Sequence, residues 1–288
     1  MTETPGSIGL VLARPARLLG IEPFFMEFIA GIEETLAERD LSILLHVVPA
    51  HDAETETYRR WAARRLVDAV VVVNLVQDDL RPGVLRGLGL PCLLVGTCPD
   101  QDYPALGADN VGAERAALAY LFELGHRRVA RVTGPAVLLH TQERTVALVE
   151  ACRALGVEPI VLEGDYSDEA GANLTRRLLA LPEPPTAIVY DNDVMAVAGL
   201  RAAQDQGVAV PDQLSLIAWD DSTLCRLSSP AMTTMSVDVH EYGVRVARSI
   251  FEILDGSPVT ERMSPAARLV PRGTTAPARV ARPAPASA

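Results

Sequence analysis

The 288-residue sequence contains no lysine; all 26 of its basic residues are arginine. That absence excludes a Schiff base to a carbonyl substrate, a pyridoxal phosphate anchor and a phosphate-loop lysine. Aromatics make up only 5% of the chain, and cysteine occurs four times, at Cys92, Cys98, Cys152 and Cys225, with no CxxC pair and no even ladder. Such sparse thiols suit packed side chains in a reducing compartment better than a disulfide framework. No apolar run approaches the roughly 20 residues of a membrane helix. The opening MTETPGSIGLVLARPAR has no basic leader, signal-peptide core or lipidation site, so a cytoplasmic chain without a membrane partner is expected. Positive charge is also short, with 37 acidic against 26 basic residues and a net charge of −11. Affinity for nucleic acid comes chiefly from neutralising phosphates, so this chain is not expected to grip DNA by itself.

Catalytic signatures are missing too. There is no GxSxG elbow, HExxH helix, GxxxxGK[ST] loop or GxGxxG fingerprint. The five histidines, His46, His51, His126, His140 and His240, stand at no metal-ligand spacing, so neither a metal nor a cofactor is expected. Paired carboxylates at Asp191 with Asp193 and at Asp220 with Asp221 suit acid–base work in principle. Short acidic runs after strands are more often helix caps and turn formers, and a non-enzyme is the expectation.

What the chain does have is 49% hydrophobic residues, a mean hydropathy of +0.17 and a regular alternation of short aliphatic runs with amphipathic stretches of helical length. Alternation of this kind argues for βα units and an α/β fold with parallel sheets. Strands are predicted at Ser7 to Leu12, Ser42 to Val47, Ala69 to Val73 and Cys92 to Val95. Helices near Pro23 to Leu36, Ala53 to Leu66 and Asp79 to Leu88 separate them, with Pro23 where a first turn tolerates proline. A second series follows the helix Gly112 to Leu124, with strands at Val129 to Thr133, Glu158 to Leu162, Ala187 to Tyr190 and Leu214 to Ala218. Two similar lobes are the simplest account, closed by a helix at Val239 to Leu254 and a strand near Arg268. Residues 273–288, rich in alanine and proline, read as a disordered tail.

In open parallel sheets, ligands bind beyond the carboxyl ends of the strands. Asp191-Asn192-Asp193 follows TAIVY, Asp220-Asp221 follows SLIAW and Asp165-Tyr166 follows IVLEG, which suits one cleft for a neutral, hydroxylated ligand. Several strings then resemble, in order, the effector-binding core of the LacI/GalR family of bacterial transcription regulators. They are IEPFFMEFIAGIEETLAERD, ADNVGAERAALAYLFELGHRRVARVTGP, EGDYSDEAG, IVYDNDVMAVAGLRAAQDQGVAVPDQLSLIAWDDS and SPAMTTM, spread from about Ile8 to Val270. The resemblance implies a periplasmic-binding-protein-like fold of two doubly wound parallel-sheet lobes joined by three crossovers, near Gly125, Val237 and Ser257. The lobes would be residues 7–124 plus 238–257 and residues 125–237 plus 258–272. A sugar or related metabolite would bind between them and control DNA binding allosterically, in a homodimer. Operator DNA would be reached only through a helix-turn-helix headpiece, which is missing from this sequence and is expected upstream of Thr4. The alternative is an exported sugar-binding protein of a transporter.

By motif position, the resemblance implies that Arg144 clamps ligand hydroxyls or a carboxylate, that Asn192 and Asp220 hydrogen-bond the ligand and that Tyr166 stacks on it. Phe24 and Phe25 would form an apolar floor, and Asp109 and His140 would also contact ligand. Competing readings are a solvated helix arginine for Arg144, a cap or turn for Asn192 and Asp220, and plain core for Tyr166 and one of the phenylalanines. His126 is assigned to structure. The sequence departs from the family pattern in a long Arg14 to Glu22 loop, in Glu22 itself and in the bulky Trp219.

Overall fold

The computed structural model describes residues 6–15, 22–97, 103–260 and 263–278. Cys98, most of the Arg14 to Glu22 loop and residues 279–288 therefore lie outside the described residues. Packing divides the chain into two compact units. The first is Met1–Ala113, Pro135–Arg144 and Val237–Ala267; the second is Glu114–Gly134, Thr145–Ser236 and Arg268–Ala288.

The first unit is built on a five-stranded, all-parallel sheet in the order β2-β1-β3-β4-β5. Its strands are β1 (Ser7–Ala13), β2 (Ser42–Val48), β3 (Ala69–Val72), β4 (Cys92–Val95) and β5 (Ala105–Leu106). Side chains alternate across a strand with period two, and that alternation sorts the core onto two faces. Ile8, Leu10, Leu12, Val71 and Leu93 pack on one side with α1 (Pro23–Leu36) and α9 (Val239–Leu254). Val11, Val70, Val72 and Leu94 pack on the other with Tyr58 and Trp61 of α2 (Asp52–Arg64) and Leu85 of α3 (Arg81–Gly87). Helices α1 and α9 meet backbone to backbone: a Cβ on Gly31 would run into the His240 carbonyl, and one on Gly243 into the Phe28 carbonyl.

The second unit carries a six-stranded sheet in the order β11-β10-β9-β8-β6-β7, parallel except for β11. Its strands are β6 (Val129–Thr133), β7 (Ile160–Glu163), β8 (Ala187–Tyr190), β9 (Ser215–Trp219), β10 (Thr233–Ser236) and β11 (Arg268–Val270). Ala130, Val132, Ile188, Tyr190, Leu216 and Ala218 pack against α6 (Asp168–Leu179) and α7 (Asp193–Asp205). Two helices contribute to both units, α4 (Asn110–Glu123) and α5 (Leu139–Ala154), and a short α8 (Thr223–Leu227) follows β9.

Most elements fall where the sequence places them, and the differences have local causes. Strand β7 begins at Ile160, two residues after the expected Glu158, because Pro159 has no N–H to give the ladder. The polar strand β10 escaped the hydrophobic pattern. Glu114, the first residue of the second unit, has its carboxylate engaged there by Trp219 and Arg131. Within residues 273–278, which composition assigns to a tail, the chain is instead bonded into the fold. Thr274 is fully buried, its hydroxyl donating to the Leu216 carbonyl at 2.8 Å and accepting from Thr233 N at 2.8 Å. Ala278 N donates to the Leu124 carbonyl. Composition reads alanine and proline here and misses the two threonines, Thr274 and Thr275, that bond to the sheet and to Tyr120. Among the described residues, no helix is long and apolar enough to cross a membrane.

Candidate functional site

In the first unit, two of the residues the sequence points to, Asp109 and Arg144, meet the start of α4. The Asp109 side chain accepts from Gly112 N at 2.8 Å and so caps that helix. Its neighbour Asn110 is buried, accepts from Arg144 Nε at 3.0 Å and donates through Nδ2 to Glu143 Oε2 at 2.8 Å. Arg144 is thus held through its Nε, half-buried, with its charge felt by the buried Tyr242. Asn110 was not anticipated; its position, one residue after Asp109 at a helix start, is the signal that could have found it.

Phe25 is core, buried with its ring under the Arg14 guanidinium at 4.2 Å. Phe24 is half-buried and stacks on Phe28 at 5.9 Å between centroids. Glu22 is buried and ion-paired with Arg14, which answers why a carboxylate is tolerated there. His140 is half-buried in the first turn of α5.

In the second unit, the strands β9, β8, β6 and β7 lie side by side, and their carboxyl ends lead into Asp220, Asn192, Gly134 and Tyr166 respectively. Asn192 is buried and does two jobs, capping α7 by accepting from Met195 N at 2.9 Å and donating from Nδ2 to the Tyr166 carbonyl at 3.1 Å. Tyr166 has φ +69° and lays its ring against Gly134, where a Cβ would collide with it. Asp220 has φ +67° and its N–H donates to the Met235 carbonyl, so it sits in a tight turn at the end of β9 with its side chain partly exposed. The neighbouring carboxylates are committed elsewhere. Asp221 is held by both terminal nitrogens of Arg272 at 2.8 and 2.7 Å. Asp191 is buried and accepts from Arg131 Nε and Nη2, each at 2.9 Å, and from Gly134 N at 2.9 Å.

Arg131 itself is fully buried on β6, between Ala130 and Val132 and therefore on the opposite face. Burial alone would depress its guanidinium, but Asp191 and then Glu114 outweigh that and hold it charged, above its ordinary pKa. Burial pushes the Asp193 carboxyl the other way for an acid, up from its usual value, against hydrogen bonds from Ser222 and backbone. Among the described residues, no three His, Cys, Asp or Glu side chains gather to hold a metal ion.

The periplasmic binding protein-like domain family matches residues 118–275, more than half of the chain. The HTH-type transcriptional regulator AglR of Rhizobium meliloti (strain 1021) is 34% identical over 284 residues, covering 94% of this chain and 78% of AglR. A LacI family transcriptional regulator from Bifidobacterium animalis subsp. lactis superposes with a TM-score of 0.86 at 35% identity, over 95% of this chain and 98% of that one. The transcriptional regulator CelR in complex with cellobiose gives a TM-score of 0.84 at 28% identity, over 94% of this chain and 86% of that one. With sequence, topology and relatives in agreement, the chain belongs to the LacI family of transcriptional regulators and carries that family's periplasmic-binding-protein-like effector domain.

Proposed function

We propose that this chain senses a sugar, most simply a glucoside of disaccharide size, and passes its binding to operator DNA through a headpiece, as a cytoplasmic homodimer without catalytic activity. The observation that carries the reading is the likeness to CelR, which was solved with cellobiose bound, over 94% of the chain. Arg144 supplies the donor fork for ligand hydroxyls, while Asn192 and Asp220 supply amide and carboxylate groups. Tyr166 and Phe24 supply ring faces for the C–H surface of a sugar, and Asp109 and His140 complete the set; Phe25 supports Phe24 from the core. Ligand and DNA are then coupled reciprocally, typically by about 1 to 3 kcal/mol. The relatives described above are regulators, and the exported sugar-binding alternative is not favoured.

A thermal-shift screen of cellobiose, other α- and β-linked glucose disaccharides, hexoses, pentoses and nucleosides tests the reading. A true ligand at 100 times its dissociation constant adds about 2.7 kcal/mol of stability. Stabilisation by a sugar, absent in Arg144→Ala, is expected. A screen in which only nucleosides, or nothing, raise the transition overturns the assignment to sugars.

A further inference from the structure

The second unit buries the cation Arg131 at the centre of a network that touches the neighbours of the proposed ligand residues. Its Nε and Nη2 bond to Asp191, the residue before Asn192. Its Nη1 donates to Thr145 Oγ1 at 2.7 Å, the residue after Arg144. Glu114 Oε1 lies 4.0 Å from its Nε, and Glu114 Oε2 accepts at 3.2 Å from Trp219 Nε1, the residue before Asp220. Asp191 Oδ2 also accepts from Gly134 N, against which the Tyr166 ring rests.

We propose that Arg131 is a positioning residue for the sugar site, setting the turns that carry Asn192, Tyr166 and Asp220 through Asp191, Gly134 and the Glu114–Trp219 pair. A buried strand position ordinarily takes an aliphatic residue, and an ion network in such a place is a poor source of net stability compared with packed hydrophobes. What the planar fork supplies is direction: three nitrogens fix Asp191 and Thr145 at once, which a point charge on a flexible stem does not do. Trp219 and Glu114 extend the same constraint to the end of β9. The indole N–H of Trp219 is therefore part of this network. The proposal rests on the sugar-binding reading for its ligand but not for the order it imposes on the turns.

The test separates charge from direction. Arg131→Lys keeps a buried cation and loses the fork. A second variant, Arg131→Met with Asp191→Asn and Glu114→Gln, removes the charges and keeps acceptors for Gly134 N and Trp219 Nε1. For whichever variant folds with a near-wild-type urea midpoint, amide hydrogen exchange is measured without ligand. Calorimetry then uses cellobiose, or the best disaccharide of the wild-type screen. The expected result is lost protection at residues 191–195 and 219–222 with 187–190 still protected, and at least a tenfold weaker dissociation constant. Wild-type protection in those turns overturns the proposal, as does wild-type affinity in a folded variant. Failure of both variants to fold assigns Arg131 to the core and overturns it too. If the wild type binds none of the sugars, the functional reading falls, and the exchange arm still decides the positioning role.

Discussion

Arg144 Nε donates to Asn110 Oδ1 at 3.0 Å. The proposed ligand clamp is therefore aimed by a buried amide, which Glu143 braces in turn. Truncating Arg144 removes a charged donor without opening a core cavity. Arg144→Ala should lower sugar affinity by about 1.5 to 3 kcal/mol and cost about 1 to 3 kcal/mol of stability, because the buried Asn110 amide loses its donor while the fold is kept. Asn110→Ala should weaken binding less, by loosening the arginine. Calorimetry on both variants beside the wild type measures this; equal affinity in Arg144→Ala would remove it from the site.

Asn192 has a structural duty that hides its proposed ligand duty. Asn192→Ala should cost about 1 kcal/mol of stability through the lost cap on α7, and sugar affinity as well. Asn192→Ser keeps a capping oxygen but not the amide donor to Tyr166. Stability should recover in the serine variant while affinity does not. Recovery of both would reduce Asn192 to a cap.

His126 is buried, its Nδ1 2.9 Å from Thr186 Oγ1 and its Nε2 3.1 Å from the Ala276 carbonyl. Burial chiefly, with the nearby Arg127 charge, holds its pKa below the ordinary 6.5, although the Ala276 bond opposes this. Between the lowered value and 6.5, the unfolded chain binds more protons than the folded one. Stability is therefore full above 6.5 and falls as pH drops through that window. Urea unfolding at several pH values from neutral downward should show that slope, and His126→Gln should flatten it.

The contact of α1 with α9 depends on two residues without a Cβ. Gly31→Ala and Gly243→Ala each place a methyl group against a backbone carbonyl that has no rotamer to move. Each should destabilise the fold by about 1 to 3 kcal/mol or more. Chemical denaturation would register this as a lower midpoint with an unchanged slope; a wild-type midpoint for both variants would mean that the helices slide apart at no cost.

Thr274, in the segment after β11, bonds to two strands of the second sheet. Thr274→Val keeps the shape, withdraws the hydroxyl and leaves Thr233 N without its acceptor, for a cost of about 1 to 3 kcal/mol. Faster amide exchange at Thr233 in this variant is the direct readout.

The alternation of aliphatic runs and amphipathic stretches was enough to place nearly every strand and helix, because period two and period 3.6 are written locally. Val129–Thr133, Ala187–Tyr190 and Val239–Leu254 end where the sequence has them end. The ordered motifs carried the family as well, since Asp109, Asn192 and Asp220 stand beside turn and cap residues that are themselves local signals. What the chain could not announce was pairing at long range. Nothing near Arg131 in sequence says that it meets Asp191, sixty residues on, or that Trp219 bonds to Glu114 across 105 residues. Thr274 likewise became part of the sheet only when two strands brought bare backbone groups to it. A buried polar side chain is specified by partners that the fold delivers, so the sequence determined the elements and the family, and the tertiary structure decided which charges hold the turns in place.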